Sequence, residues 1–168
     1  MSLANPTPEL LSSLGKMLRG LSALFWGLPL VLISSVQSQS LGGARELALI
    51  IPCLTNGLLV FGLTQLTHFN PQERIWREAI DRAKVLAIVN VGLSPFLYFW
   101  ARLPEVPLYA IAVDLLYLSS LLFLYNFNLV IYRLTTMLPD ESLRGDAQLF
   151  TQLNRSILAT IVIMTIGY

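Results

Sequence analysis

The sequence predicts an all-α integral membrane protein, a transmembrane bundle of about five helices. Hydrophobic residues make up 55% of the 168 residues and charged residues only 12%, whereas about a quarter of a typical soluble domain is charged. Apolar runs of about 20 residues, the length that crosses a hydrocarbon core, recur along the chain. The basic residues cluster between alternate runs, as expected for loops on one side of a membrane.

Five apolar segments account for the predicted spans. They lie at residues 18–36, 47–67, 84–101, 107–134 and 149–168. The first follows a long N-terminal stretch and is not followed by a clean small-residue cleavage site, so we interpret it as a retained span and not as a signal peptide. Prolines interrupt the first three spans, which predicts kinks in these helices.

The distribution of basic residues predicts the orientation. Nine of the eleven Lys and Arg residues lie on one side of this arrangement, and only Arg45 and Arg102 lie on the other. Because loops rich in Lys and Arg remain in the cytoplasm, the N-terminus and the loops after the second and fourth spans are expected to be cytoplasmic. The expected location is therefore a plasma or inner membrane, with several passes through it.

Two of the predicted cytoplasmic loops resemble each other. The segments LTHFNPQE at 66–73 and LTTMLPDE at 134–141 share Leu-Thr, Pro and Glu with the same spacing. Proline suits the first turn of a helix, and glutamate there interacts favourably with the helix dipole. The pattern predicts two-helix hairpins repeated in parallel, with an incomplete third copy. We expect the native chain to continue beyond Tyr168, or its end to pack within a larger assembly.

These features divide the chain into five predicted segments. Residues 1–17 form an N-terminal interfacial segment, residues 18–67 a first transmembrane hairpin, and residues 68–83 a cytoplasmic amphipathic helix. Residues 84–134 form a second transmembrane hairpin. Residues 135–168 form a cytoplasmic loop and the start of the third hairpin.

The predicted cytoplasmic helix, PQERIWREAIDRAK, carries an apolar stripe that includes Trp76 and Ile80. Pairs of opposite charge four residues apart, such as Glu78 and Arg82, favour the helix. A helix of this kind either extends into solvent or lies against the inner leaflet or a partner. Trp76, Ile80, Arg77 and Arg82 are therefore the candidate docking residues.

The only acidic residue of the fourth span, Asp114, is a candidate functional side chain. It lies about two helical turns from Pro107, roughly 10 Å below the outer surface. An ionisable residue inside a membrane faces protein or water by default, and not lipid. Tyr117, Tyr125 and Asn128 lie on the same side of the helix. The stripe predicts either a path for a solute or proton, or a packing interface.

Asparagines also place amide groups within the second and third spans, at Asn56 and Asn90. Amides of this kind form hydrogen bonds across helices, worth about 0.6–2 kcal/mol each, so we expect them to contribute to helix packing. The only histidine, His68, has no second ligand of the kind that haem or zinc sites use. We therefore expect neither a metal nor a cofactor.

The sequence contains no nucleophile elbow, phosphate-binding loop, dinucleotide-binding glycine pattern or zinc-ligand spacing. We therefore expect a non-catalytic protein. The interpretation is a scaffold or anchoring subunit that is embedded in the lipid bilayer and associates with other membrane subunits or with itself. The alternative is a small oligomeric transporter or channel with a path along the Asp114 face of the fourth span. The charge distribution gives no indication of nucleic-acid binding.

Overall fold

The computed structural model describes residues 8–40, 45–68, 74–136 and 141–167. Within these residues all regular secondary structure is α-helical, which confirms the predicted all-α class. We number the helices in chain order: α1 (Pro8–Ser40), α2 (Arg45–Thr67), α3 (Arg74–Leu93), α4 (Phe96–Arg102), α5 (Pro107–Thr136) and α6 (Glu141–Gly167).

Four segments of the described residues are long and apolar enough to cross a membrane. At most 33% of the most apolar window of each segment is buried within the chain. Large side chains such as Phe25 (71% exposed) and Trp26 (63%) therefore lie on the surface. Continuous apolar surfaces of this kind are rare on soluble monomers and fit an integral membrane protein with several spans. The segments are Ser12–Val36, Leu49–Thr67, Arg74–Arg102 and Pro107–Thr136.

The predicted fifth span coincides with α6. This helix exposes apolar side chains such as Ile163 and Met164, but it is not one of the four segments found within the described residues. The number of spans, their orientation and the hairpin repeat stay predictions. The proline-containing loops at 69–73 and 137–140, on which the repeat depends, lie outside the described residues.

The long helices pack in sequence: α1 on α2, α2 on α3, α3 on α5, and α5 on α6. The short helix α4 packs mainly on α5, after a turn at Ser94 and Pro95. Proline cannot donate a helical hydrogen bond, whereas the Ser94 N–H still donates to the Asn90 carbonyl oxygen at 2.9 Å. Pro29 and Pro52, by contrast, lie inside continuous helices.

The apolar stripe of α3 lies inside the chain. Trp76 and Ile80 are both 0% exposed and belong to one core cluster with Leu63 of α2 and Phe127 of α5. Of the four candidate docking residues, Trp76 and Ile80 are thus covered by α2 and α5 of the same chain, whereas Arg77 and Arg82 are exposed and their docking role stays a prediction. The buried stripe continues to Ala87. The predicted cytoplasmic helix and the start of the third span are therefore one continuous helix.

The first two helices approach each other closely through glycines. A Cβ atom on Gly20 would lie 2.8 Å from the Gly62 carbonyl oxygen, and one on Gly62 would lie 2.7 Å from Leu24 Cγ. A Cβ atom on Gly27 would lie 2.7 Å from Leu59 Cδ2. Small residues allow helix backbones to pack closely in a membrane, where dispersion contacts favour association. At Gly20 the α1–α2 interface therefore has no room for a larger side chain without a backbone shift, whereas at Gly27 the contact is with the flexible end of the Leu59 side chain.

Candidate functional site

The polar stripe of α5 lies in two different environments. Asp114 and Tyr117, in the N-terminal half of the helix, are exposed. Asn128, in the C-terminal half, is only 3% exposed, and Tyr125 is half-buried. The environments differ because polar side chains of α6 cover the stripe around Asn128.

Asn128 joins α5 to α6. Its Nδ2 donates to the Thr151 carbonyl oxygen at 2.8 Å, and its Oδ1 accepts from Asn154 Nδ2 at 3.5 Å. One turn away, Arg155 Nε donates to the Tyr125 hydroxyl at 2.8 Å. The guanidinium carbon of Arg155 also lies 5.3 Å from the centre of the Tyr125 ring, within cation–π range. Asn128 therefore forms hydrogen bonds between two helices.

The other asparagines behave differently. Asn56 Nδ2 donates to the Pro52 carbonyl oxygen at 2.9 Å, and Asn126 Nδ2 donates to the Leu122 carbonyl oxygen at 2.8 Å. Both bonds lie within one helix. Asn90 is 2% exposed, and its Oδ1 has no hydrogen-bond partner. Of the four amides, Asn128 is the one for which the structure gives a hydrogen bond between helices.

The carboxyl group of Asp114 makes no hydrogen bond or ion pair with the described part of the chain. Its neighbours on the helix surface are apolar, since Ile111 is 57% exposed and Leu115 is 52% exposed. Arg102, at the same end of the bundle, lies over the Tyr98 ring with its guanidinium carbon 5.6 Å from the ring centre. Asp114 is therefore an acidic group on an otherwise apolar surface.

A pocket of about 550 Å³ lies where α3 and α6 flank the C-terminal half of α5. Each of these three helices contributes one arginine to the lining: Arg82, Arg133 and Arg155. No Asp or Glu lines the pocket within the described residues. Arg82 forms an ion pair with Glu78 of its own helix, with Nη2 and Oε1 at 2.8 Å. The other two arginines form no ion pair there, so the pocket carries a net positive charge.

Two polar atoms of the residues that line this pocket are buried without a partner. Thr151 is 6% exposed and its Oγ1 makes no hydrogen bond, and the Nε of Arg133 is likewise buried and unpaired. An unsatisfied buried group of this kind costs about 1–3 kcal/mol. Such groups are rare in native structures, and an ion or ligand that binds them removes this cost.

Arg133 and Thr151 were not among the residues that the sequence singled out. Arg82 was singled out only as a candidate docking residue, and Arg133 and Arg155 served only to predict orientation, because these residues lie far apart in the chain. A signal was nevertheless present. Arg82, Arg133 and Arg155 all belong to the group of basic residues placed on the same side of the membrane, so a common level could have been expected.

Comparisons of the chain with models of protein families, with curated proteins and with solved structures find no match. In the described residues, no group of three or more His, Cys, Asp or Glu side chains could hold a metal ion. The fold and the surface fit a multi-pass integral membrane protein. Side-chain hydrogen bonds join α5 to α6 at Asn128 and Tyr125, and α1 to α2 between Ser34 Oγ and Thr55 Oγ1.

Proposed function

We propose that this chain is a non-catalytic scaffold or anchoring subunit of a larger membrane complex. The main support is the exposed carboxyl group of Asp114 on an apolar helix surface. A charged residue at the centre of a membrane-spanning helix costs about 2.5–3.5 kcal/mol, and such residues almost always face protein or a water-filled cavity. In a bilayer, the Asp114 face of α5 would therefore be covered by a helix of another subunit.

The side chains around Asp114 suit helix association. Tyr117, which is 41% exposed, lies nearly one turn further along the same side and offers a hydroxyl group. Ala110, one turn before Asp114, is small and half-buried, so a partner helix can approach closely at this level. A partner with a hydrogen-bond donor or a basic side chain opposite Asp114 would satisfy the carboxyl group.

The same geometry favours association over a path through a single chain. The pocket between α3, α5 and α6 is lined by Tyr125 and Asn128 but by neither Asp114 nor Tyr117. The two halves of the stripe thus belong to different surroundings. The scaffold proposal accounts for both halves, since one half packs within the chain and the other half is left for a partner.

The test is native mass spectrometry of the protein extracted from its own membrane in mild detergent, with Asp114→Leu compared with Leu115→Ala. We expect the wild-type chain and Leu115→Ala to leave the membrane with other subunits or as an oligomer. Asp114→Leu should leave as a folded single chain, because Asp114 makes no polar contact within its own chain. Recovery of the wild-type protein as a lone monomer would contradict the proposal.

A further inference from the structure

The pocket between α3, α5 and α6 has the donors that an oxyanion requires. Arg82, Arg133 and Arg155 line it from three helices. Guanidinium groups offer planar, paired N–H donors that match the oxygens of a phosphate. The volume of about 550 Å³ lies within the range of about 300–1,000 Å³ that is typical of small-molecule sites.

The unpaired donors give an independent indication of a ligand. Thr151 lines the pocket and is only 6% exposed, yet its hydroxyl group has no hydrogen-bond partner. The Nε of Arg133, in the same lining, is also unpaired. The neighbouring Asn128 and Tyr125 already bind α6. An anion between the helices would accept hydrogen bonds from the groups that the protein leaves unpaired.

The level of the pocket along α5 indicates where such an anion would come from. The 30 residues of α5 extend about 45 Å at 1.5 Å per residue, whereas the hydrocarbon core is about 30 Å thick. Counted from Pro107, the hydrocarbon ends about 20 residues along the helix, close to Phe127. The pocket around Asn128 therefore lies at the level of the headgroups, on the side that the basic residues predict to be cytoplasmic and where anionic lipids are enriched.

We propose that this pocket binds a phosphate group, held between Arg82, Arg133 and Arg155, as in the headgroup of an anionic phospholipid. The phosphate oxygens accept hydrogen bonds from the guanidinium groups and from the Thr151 hydroxyl group. Binding of the phosphate holds α6 against α3 and α5. The proposal is independent of the scaffold function, because it involves neither Asp114 nor any partner chain.

The test uses the full chain purified in neutral detergent, with phosphatidic acid, phosphatidylcholine and inorganic phosphate as probes. Thermal unfolding and native mass spectrometry report binding. We expect phosphatidic acid to raise the melting temperature and to remain bound, and phosphatidylcholine to do neither. In the double variant Arg133→Gln/Arg155→Gln, affinity for phosphatidic acid should fall at least about tenfold, as expected when charge-assisted hydrogen bonds are lost.

The control is the double variant Lys16→Gln/Arg19→Gln, which removes the same charge from α1, and its affinity for phosphatidic acid should stay within about twofold of wild type. Thr151→Val provides a second test. Without lipid it should raise the melting temperature, because a buried unpaired hydroxyl group is removed. It should also weaken the binding of phosphatidic acid, an effect that a purely structural role would not produce.

The outcomes also identify the source of the phosphate. Stabilisation by inorganic phosphate alone, at the concentration effective for phosphatidic acid, would assign the pocket to a free phosphorylated ligand. Stabilisation by the lipid alone would assign it to a headgroup. Equal binding of phosphatidylcholine, an equal loss in the Lys16/Arg19 control, or unchanged binding in Thr151→Val would overturn the proposal.

Discussion

The α1–α2 and α5–α6 interfaces differ in how closely the two helices approach each other. In the first, glycines bring two backbones together, so that a Cβ atom on Gly20 would lie 2.8 Å from the carbonyl oxygen of Gly62, and one side-chain hydrogen bond joins Ser34 Oγ and Thr55 Oγ1 at 3.0 Å. In the second, the contacts include side-chain hydrogen bonds such as that from Asn128 to the Thr151 carbonyl oxygen. The backbones at Gly20 and Gly62 leave no space between them. A pocket of about 550 Å³, by contrast, lies beside the second interface.

The difference indicates a division of roles within the bundle. Close backbone packing gives α1 and α2 many dispersion contacts. The helix α6 packs mainly on α5 and exposes large apolar side chains such as Phe150 and Ile157. We therefore expect α6 to be the long helix whose position depends most on a ligand or a partner.

The largest expected effect is that of Gly20→Ala. The new methyl group would meet a backbone oxygen of α2, which cannot move aside as a flexible side chain can. Overpacking of this kind costs about 1–3 kcal/mol. We therefore expect thermal unfolding in detergent to show a clear loss of stability, together with a wider α1–α2 separation in distance measurements between spin labels.

Gly57→Ala is the matched control, because it places the same methyl group in α2 where no atom lies within 4 Å. Alanine favours a helix over glycine by about 1 kcal/mol, so this variant should be as stable as wild type or more stable. Equal destabilisation by both substitutions would show that the close approach at Gly20 does not hold the two helices together.

A smaller effect is expected at the second interface, from Asn128→Leu. This variant removes the hydrogen bond to α6, and interhelical bonds of this type contribute about 0.6–2 kcal/mol in membranes. We expect a modest loss of thermal stability and faster limited proteolysis of α6, with little change in the rest of the chain. The control is Asn126→Leu, because Asn126 donates only within α5; similar proteolysis of α6 in both variants would contradict the assigned role of Asn128.

The helical class and the membrane character were predictable from the sequence, because they depend on composition and on the length of apolar runs. The helices against which each helix packs could not be predicted in this way. Gly20 and Gly57 are both glycines within apolar helices. A Cβ atom on Gly20 would nevertheless meet a backbone oxygen of α2, whereas one on Gly57 would face open space. A helical wheel identified the apolar stripe with Trp76 and Ile80, but it could not show that α2 and α5 cover that stripe.

The candidate sites likewise depend on helix packing, which the sequence does not reveal. Asp114 is conspicuous in the sequence because it is the only acid of its span, and the wheel places it on the side of Tyr117. Which part of that side is covered depends on where α6 packs, and this is a tertiary property. The arginine pocket combines residues of α3, α5 and α6, so no local pattern identifies it.

The most direct test of whether the Asp114 face is covered is photo-crosslinking in the native membrane. A photoreactive amino acid would replace Tyr117 in one variant and Leu115 in the other, since both side chains are exposed and lie on opposite sides of α5 at 100° per residue. The scaffold proposal predicts a crosslink to another protein chain from position 117 and a much weaker one from position 115. Crosslinks to lipid alone from both positions would contradict it.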